Sequence, residues 1–217
     1  MDDLMALKPA AANKPKISVD LPAPAACRPK LGATLYGGIE GLPAMSEAAN
    51  YSAFEQLRNG RRVEIRALRP ADRADLIAAV DRTSVQSLYR RFFGVRRGFT
   101  DQEVAFFLNV DFVNHVALVA VVEEGGYATI VGGGRYVVVQ PGTAEVAFAV
   151  IDEYQGQGIG AALMRHLAAI ARRVEVKQFI AEVLPDNNPM LKVFEKSGFR
   201  LGTRRESNIV HVTLQLL

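Results

Sequence analysis

The stretch YQGQGIGAALMRHLAAIARR, residues 154–173, sets a glycine at every second position and then continues without another glycine or any proline. Within it Ile159, Leu163, Leu167 and Ile170 recur at helical spacing, while Arg165, His166, Arg172 and Arg173 fall on other faces. This predicts a helix that packs one apolar stripe on a sheet. Its first turn leaves backbone N–H groups without partners, and Gly156, Gly158 and Gly160 have no Cβ to hold an anionic group away. A chain that delivers such a helix end onto a sheet offers an anion site there, although glycine spacing alone also suits close helix-to-sheet packing.

The rest of the chain supplies the sheet. In RRVEIRALRP, Val63, Ile65 and Ala67 alternate with charges as on a half-buried strand ended by Pro70. ADRADLIAAVDRTS and TDQEVAFFLN read as helices with acidic first turns. HVALVAVVE, TIVGGGRYVVV and AEVAFAVI follow as three strands joined by short turns, the order expected of an antiparallel meander. After the glycine loop and its helix come a strand in KQFIAEVL, a helix in NPMLKVFEKS with Asn188 as N-cap and Pro189 at N1, and a strand in NIVHVTLQL. The predicted class is α/β with a mixed sheet over residues 59–217. Residues 1–58, rich in Ala, Pro and Gly, show no periodicity and read as an extension, either disordered or a lid.

Composition closes several routes. Cys27 is the only cysteine, and His115, His166 and His211 show no ligand spacing, so no metal site is expected. A net charge of +3 is too small to argue for nucleic acid. The apolar runs fall short of the roughly 20 residues that span a bilayer, and the first residues lack the apolar core of a secretory signal. No membrane association and a cytoplasmic location are therefore expected.

Three phosphate-binding patterns compete for the glycine loop. A P-loop needs Lys and then Ser or Thr after its last glycine, but Ala161 stands there. A Rossmann fingerprint needs G-x-G-x-x-G after the first strand, and this loop has G-x-G-x-G after a meander. The third pattern, Q/R-x-x-G-x-G/A, is met by Gln155, Gly156, Gln157, Gly158, Ile159 and Gly160. Together with the preceding strand and the later LPDNNPMLKVFEKSGF, it resembles the Gcn5-related N-acetyltransferase family from residue 63 to about 216. The resemblance implies a fold with splayed strands, here 144–151 and 177–184, between which the pantetheine arm of acetyl-CoA lies. It implies that the loop amides hold the pyrophosphate, that Val150 bonds the pantetheine amides, and that Asn187 contacts the cosubstrate.

Acetyl transfer to an amine needs a base, because a lysine amine with pKa about 10.4 is protonated at pH 7. Glu145 shares a strand face with Ala147 and Ala149 and is the candidate, in line with the family's glutamate on this strand; a salt bridge to Arg135 or a plain exposed strand end is the competing reading. Phe194 stands where many relatives place a tyrosine acid, so it is assigned to packing against the cosubstrate's sulfur end or to helix core. His115 is read as structural, while Tyr89 and Tyr154 are hydroxyls without an assigned place. TSVQSLYRRFFG and VDFVNHVALVAVVE resemble the acetyltransferase domain of the bacterial protein lysine acetyltransferases, the Pat group. This implies a protein partner with an acceptor lysine, such as an acyl-CoA synthetase, which Arg90, Arg91, Arg96 and Arg97 would steer. A small-molecule amine acetyltransferase, with Glu123, Glu124, Glu145 and Glu182 converging on a polycation, and a non-catalytic acyl-CoA sensor are the alternatives. Oligomeric state is left open.

Overall fold

The computed structural model describes residues 47–95 and 98–216. The predicted extension up to residue 46, with Cys27, and the steering residues Arg96 and Arg97 lie outside the described residues. The strands are β1 (Ser52–Gln56), β2 (Arg62–Ala67), β3 (His115–Glu124), β4 (Tyr127–Gln140), β5 (Thr143–Val150), β6 (Gln178–Val183), β7 (Arg200–Glu206) and β8 (Ile209–Gln215). The helices are α1 (Arg73–Asp81), α2 (Val85–Phe92), α3 (Asp101–Leu108), α4 (Ile159–Arg173) and α5 (Asn188–Glu195). One sheet runs in the order β1-β2-β3-β4-β5-β6-β8-β7, and every neighbouring pair is antiparallel except β5–β6.

The hydrophobic pattern explains where the core sits. His115 through Val122 are buried without alternation, as required of a central strand covered on both faces. On one face lies α4, burying Ile159, Leu163, Leu167 and Ile170 as its spacing predicts, each burial contributing roughly 1.5–3 kcal/mol. Two β4 glycines let α4 come close. A Cβ on Gly134 would lie 2.7 Å from Phe148 Cδ1 and 3.1 Å from Leu167 Cδ1, and one on Gly132 would lie 3.3 Å from Ile159 Cγ2.

The other face carries α1 to α3. The Arg66–Asp72 pair anchors them: two hydrogen bonds of 2.7 and 2.8 Å join side chains only 10% and 7% exposed, and Asp72 also accepts the Arg69 N–H at 2.7 Å. Burial would raise the Asp72 pKa, but Arg66 and the Arg69 amide outweigh it and hold the carboxyl below its usual range. Thr100 and Glu103 cap α3 reciprocally.

Three elements go beyond the sequence reading. β1 lies ahead of residue 59, pairs with β2, and is pinned to α4 where Glu55 bonds His166 at 2.9 Å and Arg165 at 2.7 Å. α2 sets Val85, Leu88, Tyr89 and Phe92 on one stripe but buries only Leu88, and β7 is exposed and rich in arginine, without an apolar period.

Candidate active site

β5 and β6 are in register only at Thr143–Gln178, Ala144–Phe179 and Glu145–Ile180. Beyond Glu145 the strands part, and a cleft of about 490 Å³ opens, bordered by β5, β6, α2, α5 and the glycine loop. The Ile151 N–H bonds Val131 O at 3.0 Å, so alternation turns the N–H and C=O of Val150 away from β4 and into the gap. The Val150 carbonyl there accepts a 3.0 Å hydrogen bond from Gln155 Nε2.

The loop is built for free amides. Gly156 and Gly158 take φ of +76° and +104°, values that L-residues avoid, and Gly158 is the N-cap of α4. Gln155 N–H and Ala162 N–H have backbone acceptors. Among the described residues none is found for the N–H groups from Gly156 through Ala161 between them. They point from the positive end of a fifteen-residue helix. Gly160 has a different task, since a Cβ there would touch Val193 Cγ2 at 3.4 Å, where α5 approaches α4.

Side chains fix the loop from outside. Asp152, just before it, accepts from Ser84 N–H at 2.7 Å and from the Ser84 and Ser87 hydroxyls at 2.8 Å, which ties the loop to the start of α2. These bonds outweigh burial and hold the Asp152 pKa below the ordinary aspartate value. Gln155 donates to Ser87 Oγ at 3.0 Å as well as to Val150, so its side chain is a brace. The Gln157 side chain turns outward to Asn59 and to the Glu153 carbonyl, leaving only its main chain for the cleft. Tyr154 is buried behind the loop, its hydroxyl donating to Glu124 and receiving Arg61 at 2.6 Å. Arg82 and Tyr154 hold the Glu124 carboxyl down to about 2. The Tyr154 hydroxyl is therefore committed to this network.

Glu145 is exposed and lines the cleft with Ala147 and Ala149, whereas Val146 and Phe148 on the opposite strand face are buried. No ion pair joins it to Arg135, which instead donates to His115 Nε2 at 3.1 Å and Phe107 O at 3.4 Å. His115 is stacked on Phe106, with ring centroids 5.5 Å apart, and its pKa is pushed down by burial and then by Arg135, the setting of a structural histidine. Phe194 is 2% exposed, meets Phe148 edge-on at 6.3 Å, and lines the cleft. Asn187, rather than Asn188, is the N-cap of α5, accepting from Met190 N–H at 3.3 Å, and Pro189 sits one position later than expected. The cap oxygen is used, while the Asn187 amide group remains at the cleft wall.

The acids named for a polycation site do not all meet. Glu145 and Glu182 border the cleft, but Glu124 is locked to Arg82 at 2.9 Å. Arg58, Arg90, Arg91, Lys192 and Lys196 outnumber them along the lining, a balance suited to a polyanion. Arg58, on the β1–β2 turn, was not evident from the sequence; its Cγ lies 4.0 Å from where a Gly158 Cβ would be, a closeness that only the fold creates. Arg90 pairs with Asp186 at 3.7 Å, and Tyr89 is exposed on α2. Free loop amides, an unpaired strand edge and a basic lining together fit a long phosphate-bearing molecule with an amide-containing arm. Among the described residues no cluster of metal-ligating side chains occurs, and no helix is long and apolar enough to cross a membrane.

Comparisons agree with this geometry. Acetyltransferase Pat of Mycolicibacterium smegmatis is 36% identical over 145 residues, 66% of this chain but only 43% of that protein. Acetyltransferase PA5475 of Pseudomonas aeruginosa is 34% identical over 75% of this chain and 87% of its own length. The crystal structure of the GNAT domain of S. lividans PAT superposes with a TM-score of 0.69 at 34% identity, covering 76% of this chain and 96% of that one. The family model for the acetyltransferase (GNAT) family matches residues 82–199, more than half of the 217. The chain belongs to the GNAT family of acetyl-CoA-dependent N-acetyltransferases.

Proposed function

We propose that the chain transfers the acetyl group of acetyl-CoA directly to a lysine side-chain amine of a partner protein, with an acyl-CoA synthetase as the partner class and Glu145 as the base. The observation that carries this reading is the position of Glu145: exposed on the strand face beside two alanines, at the point where β5 leaves β6.

The thioester supplies an acyl carbon already activated for attack. The chain's own residues then bind, orient and move the proton. The Gly156–Ala161 amides and the α4 dipole hold the pyrophosphate, with Arg58 beside them. Val150 bonds the pantetheine arm as a neighbouring strand would, Asn187 offers its amide, and Phe148 and Phe194 shield the sulfur end. Glu145 takes the proton that the amine must lose, directly or through water. The amine nitrogen forms its bond to the acyl carbon as the carbon–sulfur bond breaks. With Phe194 in place of a hydroxyl and Tyr154 engaged by Glu124, the thiolate leaves without a tyrosine acid, which its pKa near 8 to 9, by analogy with cysteine, tolerates.

The separation of Glu124 from the cleft disfavours a polyamine acceptor. The test is an assay with acetyl-CoA against a purified acyl-CoA synthetase, with polyamines in parallel, reading acetyl-lysine by mass spectrometry. Single-site labelling that drops by about 10²–10⁴-fold in Glu145→Gln supports the proposal. Transfer to polyamines alone sinks the lysine reading, and cosubstrate binding without transfer leaves the sensor.

A further inference from the structure

On the sheet face that carries Glu145, a cavity of about 100 Å³ lies between the strands and α1 to α3. Its floor is Ala117, Gly133, Ala147 and Ala149, and Phe92 and Phe107 lie among its walls. Ala147, Phe148 and Ala149 border both this cavity and the cleft, so the two meet on β5, next to the site assigned to the thioester.

The three consecutive β4 glycines separate packing from cavity. A Cβ at Gly132 would lie 3.0 Å from Ala149 O, and one at Gly134 2.7 Å from a Phe148 ring carbon, so close packing demands both absences. At Gly133 the nearest atom would be Leu118 O at an ordinary 3.5 Å, and its φ lies outside the left-handed range. A side chain fits there, and its absence leaves the cavity open.

Arg135, opposite Ala147 in the β4–β5 register, lines the same cavity. Among the described residues no carboxylate pairs with it, and Glu145, diagonal to it, does not. Burial, and then repulsion from Arg91, push it down to about 9. Arg66, which is 8% exposed, has Asp72 as its counter-charge, whereas the half-buried Arg135 has none among the described residues. A desolvated cation with only neutral partners is costly, and a ligand carboxylate offsets that cost. The same charge repels an ammonium group, so the cavity does not suit the acceptor amine.

We propose that this cavity is the acyl pocket for a short acyl group ending in a carboxylate, of the succinyl type, carried on CoA, with Arg135 as its counter-charge. The inference rests on the acyl-transfer reading above, and the bonds made and broken are the same, with the proton going to Glu145. At ~30 Å³ per water-sized group, the volume holds roughly three such groups, a two-carbon linker and a carboxylate rather than a fatty chain.

The test is calorimetric binding of succinyl-CoA and acetyl-CoA to the full chain. Succinyl-CoA should bind about tenfold more tightly, the worth of one hydrogen-bonded charge. Gly133→Val, which fills the cavity, and Arg135→Met should each bring that ratio to about one. Gly133→Val suffices if Arg135→Met does not fold. Equal affinities in the parent protein, or a preference that survives Gly133→Val, overturns the pocket. Acyl transfer measured in parallel bears on the catalytic reading alone: an intact affinity ratio without transfer removes the reaction and keeps the pocket.

Discussion

Replacing Gly158 with alanine isolates what the loop's backbone contributes. At φ +104° and ψ −1° the residue lies outside the region open to L-side chains, while the added Cβ would meet nothing nearer than Arg58 Cγ at 4.0 Å. The penalty is therefore conformational, about 2 kcal/mol for a residue held in a sparsely populated region. For a chain of this size each kcal/mol is worth roughly 2–4 °C, so Tm should fall by about 4–8 °C. If the loop relaxes to escape the strain, the peptide groups around Gly158 rotate and one charge-assisted hydrogen bond to the pyrophosphate is lost, weakening acetyl-CoA binding roughly tenfold or more. Thermal unfolding by circular dichroism and calorimetric titration with acetyl-CoA read the two effects separately. Gly160→Ala is the comparison, because Gly160 is helical, its Cβ would sit in ordinary contact with Val193, and alanine favours the helix by up to about 1 kcal/mol. A Gly158→Ala protein with unchanged Tm and affinity, or a Gly160→Ala protein that falls as far, would refute the assignment of these glycines.

Two further outcomes concern the scaffold. Asp72→Asn leaves Arg66 buried without its counter-charge and should cost about 3–5 kcal/mol in urea unfolding; a loss below 1 kcal/mol would show that the pair does not anchor α1 to the sheet. Asp72, Asp111 and Asp152 have folded pKa values below the ordinary range, and Glu124 lies at about 2. Depressed values stabilise the fold above the unfolded pKa of about 4, so stability should be level above pH 5 and fall progressively toward pH 2. Midpoints of urea unfolding between pH 2 and 7 check this, and Asp72→Asn should flatten the acid limb.

Legibility from sequence followed the strength of the period. The α4 stripe, the unbroken burial of β3 and the glycine loop all announce themselves, because tertiary packing reinforces a local pattern. α2 escapes although Val85, Leu88, Tyr89 and Phe92 share one stripe, because the helix has only about two turns, carries adjacent arginines and buries only Leu88. Its start is set by the Ser84 cap and by Asp152, 68 residues away. β7 escapes because an exposed edge strand needs no apolar face, and its arginines read as a loop. Within the site, Gln157 matched the motif by position, yet its side chain faces away, since a motif records spacing and the αL glycines on either side redirect the chain. Arg58 had no local signal, and the sequence offered Arg135 only as a partner for Glu145, where the structure gives it to His115 and the Phe107 carbonyl. The role of each depends on neighbours brought close only by the sheet.

The three registered pairs between β5 and β6, with the bonds from the Lys177 and Gln178 N–H groups to Gly142 O beside them, form a short main-chain seam between the five-strand leaf β1–β5 and the three-strand leaf β6-β8-β7. A guest that hydrogen-bonds to Val150 extends that short seam along the open edge. Its departure after transfer unfastens the same length again. Opening of the two leaves, followed by amide hydrogen exchange on either side of the cleft, is thus expected to slow on cosubstrate binding, and turnover becomes a cycle of closing and releasing one hem of the sheet.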